Sequence, residues 1–325
     1  MSVQAETSTP SSSGFLEVND GHRLYWEEFG TPNGVPALHL HGGPGGTLGS
    51  SGYRQRWDLN RTRLIGFEQR GCGRSSPSAA DPCVPKSQFS TQKFIEDIEA
   101  LRVSLGIDRW IINGVSWGTT LALAYAQAHP QRVVGLVLFA VTTTSRREVQ
   151  WITESMGAIY PEAWHRLSSF AQQHAPAYDA GRIRLVEAYA DMLWSPDLQL
   201  RDKASHEWAL WEDTHISLGS GEVKRDPRWE DTTFRHTMTR LTTLFWARDG
   251  FCDPPILENL DRLQNLPAIF IHGRSDVSSP TSTAWKLHVD WPGSELHVVD
   301  ADGHGGAEMV ELWTNANLKM INHAS

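Results

Sequence analysis

The chain has few cysteines, no long apolar run and no stripe of basic residues, and each lack excludes a class of protein. Its three cysteines, Cys72, Cys83 and Cys252, cannot form a complete set of disulfides and do not have the paired spacing of a zinc site. The longest apolar run, residues 133–141, is too short to cross a bilayer. We therefore expect free thiols, a cytoplasmic location, no bound metal and no membrane partner.

The charge balance argues against nucleic acid as a partner. The 325 residues carry 29 Lys and Arg against 38 Asp and Glu, a formal net charge of −9, and no basic cluster that could neutralise phosphates. Residues 1–13 are rich in Ser, Thr and Pro, with neither the basic start nor the apolar core of a signal peptide. We predict that this segment is a disordered tail.

Apolar strands alternate with helices on both sides of a central region. Residues 15–29 alternate apolar and polar around Asn19-Asp-Gly21, which predicts an antiparallel hairpin. Short apolar strands follow at 35–40, 62–67, 110 onward and 133–141, and again at 268–272 and 296–299, with an amphipathic helix at 91–105. This order is typical of an α/β fold with a mostly parallel sheet and helices on both faces.

The central region has a different pattern. From 143 to 250 helical periodicity dominates, and seven of the 14 tryptophans of the chain fall there. We interpret 143–250 as an inserted helical cap on an α/β core formed by 14–142 and 251–325. Most of these tryptophans should pack the cap, but a cap that closes over a reactive site needs an apolar underside, so one or two should line a pocket.

One motif organises the chain. Gly114-Val-Ser116-Trp-Gly118 lies between an apolar strand and an Ala/Leu-rich helix that Pro130 ends. A turn this sharp strains the central residue and is tolerated only beside small neighbours, which the two glycines provide. The setting indicates a nucleophile elbow, with Ser116 exposed at the helix N-terminus as the nucleophile.

A glycine-rich loop follows the strand at 35–40. The glycines of His41-Gly-Gly-Pro-Gly-Gly46 allow backbone N–H groups to approach a ligand closely. A phosphate cradle is an alternative, but no Gly-Lys-Ser/Thr follows the loop. We predict an oxyanion hole formed by the N–H groups of Gly43 and Trp117, the residue after the nucleophile.

Two later strand ends carry an acid and a histidine. Asp276 follows the strand at 268–272, and His304 follows the strand at 296–299 between two glycines. Because the carboxyl ends of parallel strands meet at one edge, both can approach Ser116, and the order Ser, Asp, His is that of an α/β-hydrolase triad. We expect His304 to act as general base and Asp276 to orient it.

Other residues could fill these positions. His41 and His272 also lie at strand ends, and Asp300 or Asp302 could replace Asp276, although both share the loop of His304 and would need a contorted backbone. The loop after the strand at 62–67 contains Arg70, for which the sequence allows either an orienting or a structural role.

Together these motifs resemble the proline iminopeptidases, or prolyl aminopeptidases. The likeness runs through His41-Gly-Gly-Pro-Gly-Gly46, Gln69-Arg-Gly-Cys-Gly-Arg-Ser75, the elbow and Trp208-Ala-Leu-Trp-Glu212, and continues to His272-Gly-Arg-Ser-Asp276 and Gly303-His304. The resemblance implies an α/β-hydrolase fold, release of N-terminal proline from peptides, no cofactor, and a triad at Ser116, Asp276 and His304.

The resemblance also implies carboxylates in the cap that receive the free amino group of the substrate. The Trp-x-x-Trp-Glu motif assigns one of them to Glu212. The family usually has a second glutamate in a stretch like Ala-Arg-Ile-Glu-Asn-His-Tyr-Phe, whereas this chain has Trp246-Ala-Arg-Asp-Gly-Phe251, so only Asp249 could take its place. Glu68 likewise stands where the family usually has Asp before Gln-Arg-Gly.

Three hypotheses therefore remain at the level of sequence. The first is an aminopeptidase that acts on N-terminal proline or a similar small residue. The second is an esterase or amidase on the same scaffold that needs no free amine, and the third is a catalytically silent binding module. In the first two the partner is a small peptide, amide or ester substrate. The sequence does not predict the oligomeric state.

Overall fold

The computed structural model describes residues 9–50, 52–218 and 223–324. Its centre is an eight-stranded sheet in the order β1-β2-β4-β3-β5-β6-β7-β8. The strands are β1 Ser12–Glu17, β2 Arg23–Gly30, β3 Val35–Leu40, β4 Thr62–Phe67, β5 Trp110–Val115, β6 Val133–Phe139, β7 Ala268–Gly273 and β8 Ser294–Val299.

The sheet is antiparallel at one edge and parallel through the rest. The pairs β1/β2 and β2/β4 are antiparallel, and every later pair from β4/β3 to β7/β8 is parallel. The predicted hairpin at 15–29 and the mostly parallel sheet are confirmed. All parallel strands end at the same edge, so the loops after β3, β5, β7 and β8 lie side by side.

Helices cover both faces of the sheet because the strands alternate apolar side chains toward each face. On β6, Leu136 and Leu138 face one core cluster and Val137 and Phe139 face the other. The first cluster receives α1 Thr91–Ser104, α2 Trp117–Ala128 and α9 Thr281–Asp290, and the second receives α10 Ala307–Ala324. Strands buried on both faces explain the continuous apolar runs in the sequence.

The chain between β6 and β7 forms a helical insertion. It contains α3 Arg146–Thr153, α4 Pro161–His174, α5 Pro176–Asp179, α6 Leu185–Leu193, α7 Leu198–Ile216 and α8 Thr232–Ala247. These helices share a third apolar cluster that includes Tyr189, Trp208 and Trp211, while α8 also packs into the first core cluster through Leu241 and Phe245. The insertion is therefore held to the sheet mainly by its last helix.

The structure differs from the sequence interpretation at the N-terminus. The sequence predicts a disordered tail over residues 1–13. Residues 1–8 lie outside the described residues, but Ser12 and Ser13 belong to β1. Ser11 already donates its N–H to the carbonyl of Glu28 at 2.8 Å. Backbone hydrogen bonds order this segment. Because every residue type can form them, the Ser-rich composition does not predict the strand. Within the described ranges, no helix combines the length and apolar character that a membrane crossing requires.

Candidate active site

Ser116 lies in the tight turn between β5 and α2. Its backbone has φ 55° and ψ −128°, a conformation that side-chain-bearing residues rarely adopt. The turn closes so tightly that a Cβ on Gly114 would come within 2.5 Å of the carbonyl oxygen of Gly118. A Cβ on Gly118 would come within 2.2 Å of the carbonyl oxygen of Leu40. Both glycines of the motif are thus required by backbone packing.

Three side chains from separate strand ends meet at this turn. Ser116 Oγ lies 3.0 Å from His304 Nε2, and His304 Nδ1 lies 2.9 Å from Asp276 Oδ2. A carboxylate only accepts hydrogen bonds, so His304 donates Nδ1–H to Asp276 and its Nε2 accepts the hydroxyl proton of Ser116. This arrangement suits a serine whose proton is removed by an adjacent base.

The backbone of the β7 loop holds Asp276 in position. Its Oδ1 accepts the N–H groups of Ser278 and Ser279 at 3.0 and 3.1 Å. Burial raises the pKa of Asp276, but the charge and hydrogen bond of His304, with help from the loop N–H groups, outweigh it and leave the pKa below its ordinary value. Asp276 is therefore a carboxylate throughout the neutral range.

The environment of His304 makes it a stronger base. Burial lowers its pKa, but the charge of Asp276, the hydrogen bond from Nδ1 and the charge of Glu212 together raise the pKa above its ordinary value. The protonated form of His304 is therefore stabilised by two carboxylates, Asp276 and Glu212.

The alternative acids have other partners. Asp300 is exposed and pairs with Arg274, with Arg274 Nε 2.9 Å from Asp300 Oδ1. Asp302 accepts the N–H of Met309 at 3.1 Å at the start of α10. Neither carboxylate is hydrogen-bonded to His304.

The alternative histidines serve the loops in which they lie. His41 Nε2 accepts the N–H of Gln69 at 3.1 Å, which joins the loop after β3 to the loop after β4. His272 is fully buried and spans the N–H of Val141 and the carbonyl oxygen of Ser279. Burial lowers the pKa of both rings, so they are neutral structural residues.

The residues predicted to supply the oxyanion hole both border Ser116. Trp117 is the first residue of α2, a position whose N–H has no partner within the helix. Gly43 has φ 120° and lines the same cavity as Ser116 and His304. The indole of Trp117 is buried against Phe94 and Phe245, so its side chain anchors the turn.

A cavity of about 560 Å³, open to solvent, lies between Ser116 and the helical insertion, and we call it the acyl cavity. Its apolar lining includes Val149, Ile152, Ile216, Met238 and Trp246. Of the seven tryptophans of the insertion, Trp246 is the one that reaches it.

Glu212 on α7 is a buried carboxylate that lines this cavity. Its side chain is about 5 % exposed, and Oε1 accepts the indole N–H of Trp208 at 2.9 Å. Oε2 lies 3.3 Å from His215 Nε2, while His215 Nδ1 contacts Ser278 Oγ at 2.8 Å. A buried carboxylate that lacks a full cationic partner is costly unless a cation binds beside it.

The structure does not bring Asp249 to this cavity. Its carboxylate pairs with Arg184, with Arg184 Nη1 2.8 Å from Asp249 Oδ1, and it is not among the residues that line the acyl cavity. Arg184 is the N-cap residue of α6, and it also donates to the carbonyl of Ala247. Asp249, at the position of the family's second glutamate, therefore pairs with the N-cap residue of α6. We do not assign it a substrate-binding role.

Glu68 and Arg70 are structural. Arg70 is fully buried and makes two hydrogen bonds to Asp97, at 3.0 and 2.7 Å, and a third to Asp20 at 3.1 Å. Glu68 accepts Nε and Nη2 of Arg74 at 3.1 and 3.0 Å. Of the two roles that the sequence allows for Arg70, the structural one therefore applies, since Arg70 joins the loop after β4 to α1.

Sequence reasoning did not identify Glu148 or His215, which also line the acyl cavity. Glu148 accepts hydrogen bonds from Thr142, Thr143 and Ser145 and completes a capping box at the start of α3. The Ser-x-x-Glu spacing of that box was a usable signal. Among the described residues, no three His, Cys, Asp or Glu side chains are grouped as metal ligands.

The comparisons with known proteins agree with this architecture. Residues 38–308 match the family model of the alpha/beta hydrolase fold. The chain is 39 % identical over 300 residues to a Streptomyces coelicolor protein described as "Probable proline iminopeptidase", which covers 91 % of this chain and 90 % of the relative. It is 38 % identical over 303 residues to the proline iminopeptidase of Neisseria meningitidis, covering 92 % of each chain.

Solved structures show the same fold at lower identity. A proline iminopeptidase from Mycobacterium smegmatis matches with a TM-score of 0.59 at 20 % identity, over 96 % of this chain and 99 % of that one. The structure of VinJ matches with a TM-score of 0.67 at 19 % identity, over 98 % and 100 %. From the family model and the two relatives, this chain belongs to the proline iminopeptidase family of α/β hydrolases.

Proposed function

We propose that this protein is a serine aminopeptidase that releases proline, or a similar small residue, from the N-terminus of peptides. The observation that carries the proposal is the position of Glu212, a buried carboxylate in the same cavity as the Ser116 hydroxyl and the His304 ring. The alcohol and base provide acyl transfer, and the carboxylate provides a reason to select a free amine.

The first half of the reaction forms an acyl-enzyme. His304 Nε2 accepts the proton of Ser116 Oγ, which lies 3.0 Å away, as the oxygen attacks the carbonyl carbon of the first residue. The oxyanion that develops is bound by the backbone N–H groups of Gly43 and Trp117. His304 then gives its proton to the leaving nitrogen, the peptide bond breaks, and the shortened peptide departs.

The second half releases the first residue. His304 accepts a proton from water, whose oxygen attacks the acyl-serine ester. The collapse of the second tetrahedral intermediate returns the proton to Ser116 Oγ and frees the amino acid. Asp276 remains a carboxylate in both halves and keeps the His304 ring in the required tautomer.

Glu212 selects the free N-terminus. The secondary ammonium of an N-terminal proline carries two N–H donors, and it forms a charge-assisted hydrogen bond to Glu212 in a cavity that is otherwise mainly apolar. The apolar side chains on α3, α7 and α8 pack against the ring of the proline and exclude water, so we assign the helical insertion the role of a cap. The free thiols support placing the enzyme in the cytoplasm.

Glu212→Gln tests this proposal because it keeps the shape and removes the charge. We expect kcat/KM for prolyl anilide to fall about 30- to 1,000-fold, the range for losing a buried charged hydrogen bond of about 2–4 kcal/mol, while an aryl ester without an amine is hardly affected. The matched control is Glu207→Gln, also on α7, where the carboxylate pairs with Arg166 at the surface.

Blocking the amine provides the second arm of the test. The wild-type enzyme should cleave N-acetylprolyl anilide far more slowly than prolyl anilide. If it cleaves both at the same rate, or if Glu212→Gln loses ester and anilide hydrolysis equally, the enzyme is an esterase or amidase that needs no free amine.

A further inference from the structure

A second cavity adjoins the acyl cavity at Ser116. It measures about 1,370 Å³ including its open mouth, and we call it the leaving-group groove. The two cavities share the lining residues Gly43, Ser116, Ile216, Met238 and His304. The reacting groups therefore lie at the junction between the two spaces.

This junction determines how a peptide must lie. With the first residue in the acyl cavity and its carbonyl carbon at Ser116 Oγ, the rest of the peptide must leave that cavity beside Ser116. The groove provides that path, because it reaches Ser116 and His304 and continues along the segment 224–229. The chemistry of the groove therefore decides which leaving peptides bind well.

The acids in the groove have partners. Asp226 pairs with Arg228, with Arg228 Nε 2.9 Å from Asp226 Oδ2. Asp213 is buried, and its Oδ1 accepts the indole N–H of Trp229 at 2.8 Å and the N–H of Asp226 at 3.2 Å. Its Oδ2 is buried without a hydrogen-bond partner among the described residues, so the groove holds one matched ion pair and one carboxylate that is paired through a single oxygen.

Two cations in the groove have no such partner. Lys224 and Arg225 line the groove and are exposed, and within the described ranges neither forms an ion pair with a carboxylate. Arg225 lies close enough to influence Asp213 by its charge, which partly offsets the burial that raises the pKa of Asp213. Both cations line the same groove as Ser116 and His304, on a chain whose net charge is −9.

We propose that Lys224 and Arg225 bind the C-terminal carboxylate of the leaving peptide, so that short peptides with a free C-terminus are the preferred substrates. The inference rests on the proposed aminopeptidase function and specifies its substrate class. A carboxylate fits because it supplies the anion that the two cations lack, and Arg225 can bind it through two parallel hydrogen bonds. Long peptides carry that carboxylate beyond the groove and do not gain from it.

The test compares peptides that differ only in their C-terminus. The substrates are a prolyl dipeptide and a prolyl tripeptide, each as the free acid and as the C-terminal amide. We expect kcat/KM of the wild-type enzyme to be about 3- to 10-fold higher for the acids, the size of two exposed charge contacts. The acid-to-amide ratio should approach one in the Lys224→Gln/Arg225→Gln variant.

The matched control is Lys203→Gln, an exposed lysine on α7 that does not line the groove, and it should keep the wild-type ratio. Raising the salt concentration should lower the ratio of the wild-type enzyme, because exposed charge contacts are screened. A ratio of one in the wild type, or an unchanged ratio in the double variant, overturns this inference. Failure to cleave prolyl anilide would instead contradict the proposed function, so the two failures are distinguishable.

Discussion

At the scale of single residues, the site depends on three side chains that are far apart in sequence. Ser116, Asp276 and His304 follow β5, β7 and β8, whose parallel order places all three strand ends at one edge of the sheet. Hydrogen bonds of 2.9 and 3.0 Å then orient the imidazole between acid and alcohol. A change in any one of these side chains should therefore affect turnover far more than folding.

Ser116→Ala should abolish turnover and leave the fold intact. The hydroxyl makes one hydrogen bond to His304 and does not pack a core, so its removal costs little stability. We expect kcat to fall by about 10³-fold or more, as for the loss of a nucleophile, with an unchanged thermal melting temperature. If the folded variant kept a tenth of wild-type activity, Ser116 would not be the nucleophile.

The pH dependence of kcat/KM should report His304. The raised pKa of this ring means that the acid limb, where activity is lost on protonation, lies above the ordinary histidine value of about 6.5. Since the charge of Glu212 contributes to that rise, Glu212→Gln should move the limb to lower pH. A pH series on both proteins with an aryl ester checks this, and a limb at the same pH in both would contradict the coupling.

The sequence predicted the members of this group because each stands directly after a strand in a recognisable loop. It could not predict the partner of Asp249, because Arg184 comes from another helix 65 residues earlier. The contact of His215 with Glu212 was hidden for a related reason. Spacing on α7 places the two side chains on one face. The hydrogen bond between His215 and Ser278 joins that face to the loop after β7, 63 residues later, which spacing does not show.

At the scale of elements, the elbow is built on contact between backbones. The first turn of α2 packs against the end of β3, where a Cβ on Gly118 would meet the carbonyl oxygens of Leu40 and His41 at 2.2 and 2.8 Å. The same β3 end leads into the loop that contains Gly43. Ser116 and Gly43, which we propose as nucleophile and oxyanion donor, are therefore positioned by a single close approach.

Gly118→Ala should damage stability and activity together. Backbone atoms cannot move aside as a flexible side chain can, so we expect a loss of about 1–3 kcal/mol in the free energy of unfolding. Hydrolysis should also slow, because the loop after Leu40 shifts. Denaturant unfolding and kcat/KM measure the two effects.

Gly49→Ala is the matched control for this change. A Cβ at Gly49 would have no described atom within 4 Å, and its φ is not positive. Its free energy of unfolding should stay within about 0.5 kcal/mol of the wild type. If Gly118→Ala behaves in the same way, the close packing of α2 on β3 is not what fixes the elbow.

The strands of the sheet were the elements that the sequence predicted best. β3 and β4 have the predicted bounds, because each is a short apolar run that ends in a turn signal. The strand predicted at 133–141 ends at Phe139, since Ala140 has φ 52° and begins the turn toward the insertion. The early start of β1 was missed, because it depends on hydrogen bonds to β2 rather than on apolar residues.

At the scale of the whole molecule, the sheet buries polar side chains that join neighbouring strands. His39 lies near the end of β3 and is fully buried. Its ring stacks on Tyr53 with centroids 4.4 Å apart, and its Nδ1 contacts Asn113 Oδ1 at 2.8 Å. Burial lowers the pKa of His39 to about 3, and the hydrogen bond that its Nδ1 donates to Asn113 offsets this only in part. The folded protein therefore excludes a proton that the unfolded chain binds.

The stability of the protein should fall in acid partly because of this histidine. The unfolded chain protonates His39 below its ordinary pKa of about 6.5, whereas the folded state resists until about pH 3. Between these values the unfolded state binds more protons, so the free energy of unfolding decreases as the pH falls, by at most about 1.4 kcal/mol per pH unit for one group. Above pH 6.5 the contribution is complete and constant.

His39→Asn isolates this effect, because the asparagine Nδ2 can replace the imidazole Nδ1 as a donor to Asn113 but does not titrate. The variant should be less stable at every pH, since the stacking on Tyr53 is lost. Between pH 6 and 5, however, its free energy of unfolding should depend on pH less steeply, by about one proton. Denaturant unfolding at closely spaced pH values measures both slopes, and their difference cancels the contributions of other buried groups such as Asp97, whose pKa burial raises to about 6. Parallel slopes for the two proteins would mean that His39 takes up its proton equally in the folded and unfolded states.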